Sequence, residues 1–341
     1  MHPYKAGELL RLRRVNGSSR VQVRIKKPHQ PWTLSCGMIV EILNGLDGDH
    51  EDHSKEENDT SDDRNGDAEV DGNVGKTAPQ TAFLKMYDWR FSAQLRSDNG
   101  IEPWREEFSR EYAEMVRRGE VEGFVEKLSD YDWREETEED WDEGKNEASI
   151  AHESDKMYRA EKSVYDRLGD IQGKMIPRFF GAVEMDVTPE GIALNEQQQR
   201  LLQVKGILLE YIPGFSLSKL AENVPPEACQ GIVDQGIQIV YALNDHEVLN
   251  RDVRPDNFIV RMIKSSDEVG AAEYQVVMID FGQSRLRGEE ETDFAWGRNK
   301  WTQDEEGAVG MLMRHRLRKV GIEITYKPSY RYVEFAEREG E

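Results

Sequence analysis

Asp252, Arg254 and Asn257 stand within the string Asn250-Arg251-Asp252-Val253-Arg254-Pro255-Asp256-Asn257, and Asp280 follows in Ile279-Asp280-Phe281-Gly282. The carboxylate of Asp252 can take a proton from an attacking hydroxyl, and the guanidinium of Arg254 can face phosphate oxygens. Asn257 offers an amide oxygen to a metal, and Asp280 a carboxylate able to hold Mg²⁺ against nucleotide phosphates. The chemistry four such groups could serve together is phosphoryl transfer. Two strands must position them. Phe258 to Ile263 reads as an apolar strand, 265–273 as a polar turn and Tyr274 to Ile279 as a second buried strand, so antiparallel pairing brings Asn257 and Asp280 to one edge.

Further elements lie upstream. Thr81 to Met86 is a short apolar strand with Lys85 near its end. Met157, Ala160, Val164, Leu168 and Ile171 recur at helical spacing after Ser154, which reads as the N-cap, and Glu161 lies on that helix. From Pro226, the apolar positions Cys229, Ile232, Val233, Ile237, Val240 and Leu243 mark a long helix leading straight to Asn250.

In this order the segments resemble the protein kinase superfamily over residues 80–320, with Asn250 in place of the usual His and Arg254 in place of the usual Lys. The strings 243–260, 276–287 and 304–310 are most similar to the protein-kinase-like proteins of filamentous fungi, which supply a fold and a superfamily but no substrate. The resemblance implies an α+β, two-lobed protein kinase-like fold: a small lobe of antiparallel sheet plus helix, and a mainly α large lobe. It divides the chain into 1–209 and 210–341, with acidic insertions at 46–77 and 87–153 in the first part.

ATP and Mg²⁺ follow as the implied cofactors. Asp252, Arg254, Lys85 and Glu161 would be catalytic, Lys85 reaching the α and β phosphates and Glu161 pairing with it. Asn257 and Asp280 would hold the metal. The run 206–212 looks like a hinge, whose main chain around Glu210, Tyr211 and Ile212 would meet the adenine edge while Leu208 and Leu209 close the pocket. The acceptor would be a protein hydroxyl, of the Ser/Thr type, or a small molecule.

The departures from the family pattern bear on activity. No G-x-G-x-x-G string covers the phosphates, and Ser35 to Leu43, where that loop is expected, holds a single glycine. No A-P-E string follows Asp280, and 283–303 is short for a peptide platform. A pseudokinase scaffold and a small-molecule kinase of the same fold therefore stand beside the protein kinase reading. Arg251 is expected to meet the acidic run Glu289-Glu290-Glu291 and Asp293, which would replace an activating phosphate.

With 341 residues the chain can build two sizeable cores, yet mean hydropathy is low at -0.76, which points to polar insertions. Charge locates them. Residues 46–77 hold 12 acidic and 3 basic residues and 130–147 hold 10 and 2, so the two tracts supply most of the net charge of -22. The first has too little apolar content to offset ordering entropy and is expected to be disordered. Its 67–72 stretch mimics the start of a calcium loop, but Ala78 stands where the bidentate carboxylate is required. The second carries Tyr131, Trp133 and Trp141, which suit a helical insertion packed on the small lobe or a charged partner-binding arm.

Basic residues gather near the N-terminus, but Val21, Val23 and Ile25 alternate with polar residues as a half-wet strand does, and no aromatics interleave for base stacking, so no nucleic-acid partner is expected. Cys36 and Cys229 sit in apolar company without a disulfide pattern, and no apolar run approaches membrane-spanning length. These features favour an intracellular protein, cytoplasmic or nuclear. They leave the oligomeric state open.

Overall fold

The structure, a computed structural model, describes residues 3–15, 19–44, 80–264 and 272–336. The acidic tract 46–77, expected to be disordered, lies outside the described residues. In chain order come strands β1 (Leu9–Arg14), β2 (Arg20–His29), β3 (Cys36–Asn44) and β4 (Gln80–Met86), then helices α1 (Ala93–Asp98), α2 (Glu106–Arg118), α3 (Val121–Lys127), α4 (Tyr131–Thr137) and α5 (Glu143–Arg167). Strand β5 (Phe179–Asp186), helix α6 (Glu196–Leu201), strands β6 (Gln203–Glu210) and β7 (Phe215–Ser216), and helices α7 (Leu220–Asn223) and α8 (Pro226–Asp245) follow. The last third holds β8 (Val248–Asn250), β9 (Phe258–Lys264), β10 (Glu273–Met278), β11 (Ser284–Leu286), α9 (Asp293–Gln303) and α10 (Glu305–Arg318).

The result is a mixed α and β fold with antiparallel pairing. Six strands close a barrel in the order β1-β2-β3-β4-β6-β5, with β5 returning to β1 through Arg13↔Glu184 and Arg14↔Val183. Alternation explains the closure. Leu10 and Leu12, then Val21, Val23 and Ile25, Met38 and Val40, Ala82 and Leu84, and Val204 and Leu208 are all buried in one apolar cluster, each set at a period of two. The half-wet strand expected around Val21 is β2.

Outside the barrel, α1 to α4 and the first turns of α5 form a packed insertion. Phe124 of α3 meets Trp133 at 5.9 Å and Trp141 at 4.9 Å, both edge-on, so the acidic tract 130–147 docks through its aromatic residues. Helix α5 begins eleven residues before the expected Ser154. Asp142 caps it by accepting from Lys145 N at 2.9 Å, while Ser154 is buried in mid-helix and donates from Oγ to the Tyr87 carbonyl at 2.9 Å. The early turns escape a hydrophobic count because their buried residues include Gly144, Ala148 and Ala151, small side chains that let α2 approach. A Cβ on Gly144 would lie 3.2 Å from the Glu111 carbonyl oxygen.

A second apolar cluster gathers α5, α8, β9, β10 and α10 around Phe258, Phe281 and Val240. It crosses the boundary drawn at residue 209 by taking in Tyr87, Tyr158, Tyr165, Ile207 and Leu209. Both cysteines are buried and free. No helix among the described residues is long and apolar enough to cross a membrane.

Candidate active site

Lys85 is on β4, whose alternation sends Leu84 into the barrel and Lys85 to the opposite face, beside its register partner Ile207. There the Lys85 ammonium donates to Glu161 Oε2 at 2.6 Å and to Asp280 Oδ1 at 2.7 Å. Residues 76 and 195 positions apart from the lysine thus meet at one nitrogen. Burial works against the charge of Lys85, but the two carboxylates outweigh it and hold the ammonium above its ordinary pKa. Burial pushes the Glu161 carboxyl up despite the lysine. Asp280 meets the same opposition from burial, yet Lys85 and the Gly282 N–H hold its carboxyl below the ordinary value.

Asp280 keeps 40% of its side-chain surface exposed and adopts φ +68°, a left-handed conformation that non-glycine residues rarely take. The following turn is tight. Gly282 N donates to Asp280 Oδ1 at 3.3 Å, and a Cβ on Gly282 would lie 3.3 Å from the Tyr87 hydroxyl, so a side chain there crowds the cluster.

Asp252 lies in the turn between β8 and β9. Its Oδ2 accepts from Asn257 Nδ2 at 3.0 Å and sits 3.3 Å from a guanidinium nitrogen of Arg254. Asn257 Nδ2 also donates to the Asp252 carbonyl at 2.8 Å, which closes the loop on itself. The β9–β10 pair has the expected antiparallel register, and Ile279 N donates to the Asn257 carbonyl at 2.8 Å, so the chain ends carrying Asn257 and Asp280 run side by side.

The arrangement suits a hard divalent cation. With Asn257 Nδ2 turned to Asp252, its Oδ1 has no hydrogen-bond partner among the described residues, and the Asp280 carboxylate has one oxygen on Lys85 and surface still open to solvent. No group of three or more His, Cys, Asp or Glu donors occurs among the described residues, so a cation here would complete its shell with phosphate or water oxygens, as Mg²⁺ does.

The expected adenine edge needs correction at two residues. Glu210 N–H donates to the Arg178 carbonyl at 2.8 Å and its carboxylate accepts from the Arg261 guanidinium at 3.0 Å, so its donor is already used. Leu208 points into the barrel cluster with its partner Leu84, because strand alternation puts it on the face away from Lys85. Ile207 and Leu209 occupy the site face instead. Tyr211 and Ile212 follow β6 with main-chain groups that make no backbone hydrogen bond among the described residues. The segment Ser35 to Leu43 is also not a loop: it forms β3, and the turn before it, Gln30 to Ser35, contains no glycine.

Four residues of the site carried no role in the sequence. The Tyr87 hydroxyl donates to Glu161 Oε2, reinforcing the oxygen that holds Lys85. Tyr87 lies two positions past Lys85, so strand periodicity was the signal for it. Asn250 is a bridge: Oδ1 accepts from Asp252 N at 2.8 Å and Nδ2 donates to the Asp280 carbonyl at 3.4 Å. Its own N–H donates to Glu305 Oε1 at 2.8 Å, and Glu305 pairs with Lys300, both almost fully buried. Only tertiary contact reveals that pair.

The acidic run after Asp280 is engaged by different arginines from the one expected. Arg285 grips Glu291 with two bonds of 2.6 and 2.7 Å, and Arg287 pairs with Asp293, each arginine meeting a carboxylate six positions along its own segment. Arg251 is exposed and its carbonyl accepts from Gln303. The Arg285 hydrogen bonds hold the Glu291 carboxyl at about 2. A depressed carboxylate stabilises above its unfolded pKa of about 4.3, and that contribution is lost as pH falls towards 2. Glu291→Gln is therefore expected to speed hydrogen exchange in 285–299 at pH 7, and the difference from wild type should narrow as pH falls from about 4 towards 2.

No protein-family model matches this chain, and no curated protein sequence does. Among solved structures it is similar to the Rio2 kinase-ADP/Mg²⁺-phosphoaspartate complex from Chaetomium thermophilum, at 11% identity and a TM-score of 0.45, covering 93% of this chain and 63% of that one. A second structure of Rio2 kinase from the same organism gives 10% identity and a TM-score of 0.40, with 91% and 62% covered. The chain thus spans less than two thirds of the length of these structures.

Proposed function

We propose that this chain is an ATP- and Mg²⁺-dependent phosphotransferase of the protein kinase-like superfamily, two-lobed, that passes the γ-phosphate to a protein hydroxyl. The observation that carries the reading is the joining of Lys85, Glu161 and Asp280 at one ammonium, with Asn250 tying the Asp252 loop to the Asp280 carbonyl. Clustered charges of this kind orient phosphates and stabilise charge that develops during transfer.

In this reading Lys85 turns from Asp280 to nucleotide phosphate while Glu161 and Tyr87 keep it aimed. Asn257 and Asp280 would hold Mg²⁺, which supplies neutralisation of phosphate charge. Asp252 orients the acceptor hydroxyl and receives its proton, and Arg254, exposed beside it, faces the γ-phosphate. Tyr211 and Ile212 present main-chain groups to the base, with Leu209 as apolar wall. The presence of two apolar clusters supports a two-lobed arrangement, and the free buried cysteines support an intracellular setting.

One observation favours a second reading, a nucleotide-binding scaffold. The turn between β2 and β3 has no glycine, and its Trp32 is anchored edge-on to Tyr4 at 5.5 Å, so it offers no bare amides to phosphate. Thermal melts test the binding common to both readings. Mg-ATP at about 100 times its dissociation constant is expected to add about 2.7 kcal/mol of stability, and Asp280→Ala should abolish the shift. An equal shift in the variant would remove Asp280 from the metal site.

A further inference from the structure

Tyr87, the residue after β4, is 2% exposed and meets helix α5 at two places. Its carbonyl accepts from Ser154 Oγ at 2.9 Å, and its hydroxyl donates to Glu161 Oε2, about two helical turns further on. Its main-chain N–H donates to the Lys205 carbonyl at 2.8 Å, which fixes the residue to β6. The ring is held as well. It meets Tyr158 edge-on at 6.0 Å, and the Lys85 ammonium lies 5.4 Å from its centroid. Both members of the Lys85–Glu161 pair therefore touch one side chain, and that side chain is anchored to strand and helix alike.

The hydroxyl matters to the carboxylate because little else serves it. Glu161 is fully buried and its Oε1 has no hydrogen-bond partner, so Lys85 and Tyr87 supply its side-chain donors among the described residues. The groups that face it are Lys85 and Tyr87 from the end of β4, Asp280 from the turn after β10 and, on α5 itself, Tyr165, whose hydroxyl makes no hydrogen bond. Burial raises the Glu161 carboxyl and Asp280 adds to the rise, while Lys85 and Tyr87 hold it down. Lys85 is shared with Asp280 and in the phosphotransferase reading turns towards nucleotide, so Tyr87 is the donor that stays. We infer that Tyr87 is a positioning residue: it latches α5 to the barrel through Ser154 and Glu161, so that the carboxylate is set for Lys85 before nucleotide, modification or partner arrives. The inference deepens the phosphotransferase reading and rests on it for the role of Lys85. The latch itself can be read without nucleotide.

The test is hydrogen exchange over 154–165 without nucleotide, and separately a Mg-ATP titration, both on the full chain with Tyr87→Phe and Ser154→Ala. Tyr87→Phe keeps the ring and the Ser154 bond and removes one hydrogen bond to a carboxylate. It is expected to speed exchange and to weaken Mg-ATP binding about tenfold at pH 7. Without the hydroxyl the Glu161 carboxyl rises further, so as pH falls the variant should lose affinity at a higher pH than wild type does. Ser154→Ala should speed exchange with that pH unmoved, because the carboxylate keeps its hydroxyl donor. A melt of each variant shows that it is folded. Unchanged exchange in either variant would overturn the latch, and so would a loss of affinity by Tyr87→Phe that is the same at every pH, the mark of a packing role. If exchange quickens in both variants and wild type binds no Mg-ATP, the phosphotransferase reading fails and the latch stands. If wild type binds Mg-ATP and Tyr87→Phe matches it in affinity and exchange, the latch fails and the reading stands.

Discussion

Asp252→Asn is expected to lower phosphate transfer by roughly 10²–10⁴-fold, the usual contribution of a positioned proton acceptor, while leaving the dissociation constant for Mg-ATP within a few-fold of wild type. The separation follows from the loop's geometry. Asp252 touches Asn257 and Arg254, whereas Lys85, assigned to the nucleotide, binds Glu161 and the metal-assigned Asp280 without contact to Asp252. The amide of Asn can still accept from Asn257 Nδ2, so the loop keeps its shape and loses only basicity. Parallel loss of binding and transfer would show that Asp252 shapes the site and takes no proton. The comparison needs initial transfer rates and a nucleotide titration on both proteins.

A large effect on stability is expected at Lys300. Its side chain and that of Glu305 are 1% and 2% exposed, and their pair underlies the Asn250 N–H. Lys300→Met leaves the Glu305 carboxylate buried without its cation, a change that costs about 3–5 kcal/mol when one partner of a buried pair is removed. The sign of the pH dependence follows. Burial already raises the Glu305 carboxyl, and losing the lysine raises it further, so the penalty is least below the unfolded carboxyl pKa of about 4.3 and grows as pH rises. Denaturant melts at pH 4 and pH 7 should show the gap from wild type widening with pH. A gap independent of pH would mean that lost packing is responsible and the charge is not.

Much of the site was legible because it lies in consecutive residues. The string around Asp252 and the Asp280 triplet are local, and the continuous apolar runs of β9 and β10 on either side of a polar turn pointed to their antiparallel pairing. Lys85 and Glu161 were named as a pair through the family resemblance. What joins them is a meeting of residues 76 positions apart. Failures came where burial is achieved by small or polar groups. Helix α5 hid its first three turns because Gly144, Ala148 and Ala151 bury little apolar surface, so Ser154 looked like a start. Leu208 was assigned by its apolarity alone, although counting by twos from Leu209 would have turned it inward. Arg251 was matched to the acidic run through the family resemblance, while proximity along the segment gave Glu291 to Arg285. Buried ion pairs such as Lys300–Glu305 have no sequence signature, since each residue alone reads as surface.

The central claim, that the Lys85, Asp280 and Asp252 groups form a working phosphotransfer site, is tested most directly by incubating the full chain with γ-labelled ATP and Mg²⁺ against protein pools and, separately, cell metabolites. The account predicts label in a protein with wild type and none above background with Asp280→Ala. Tight Mg-ATP binding with no label in any protein or metabolite would contradict it and leave a scaffold in its place.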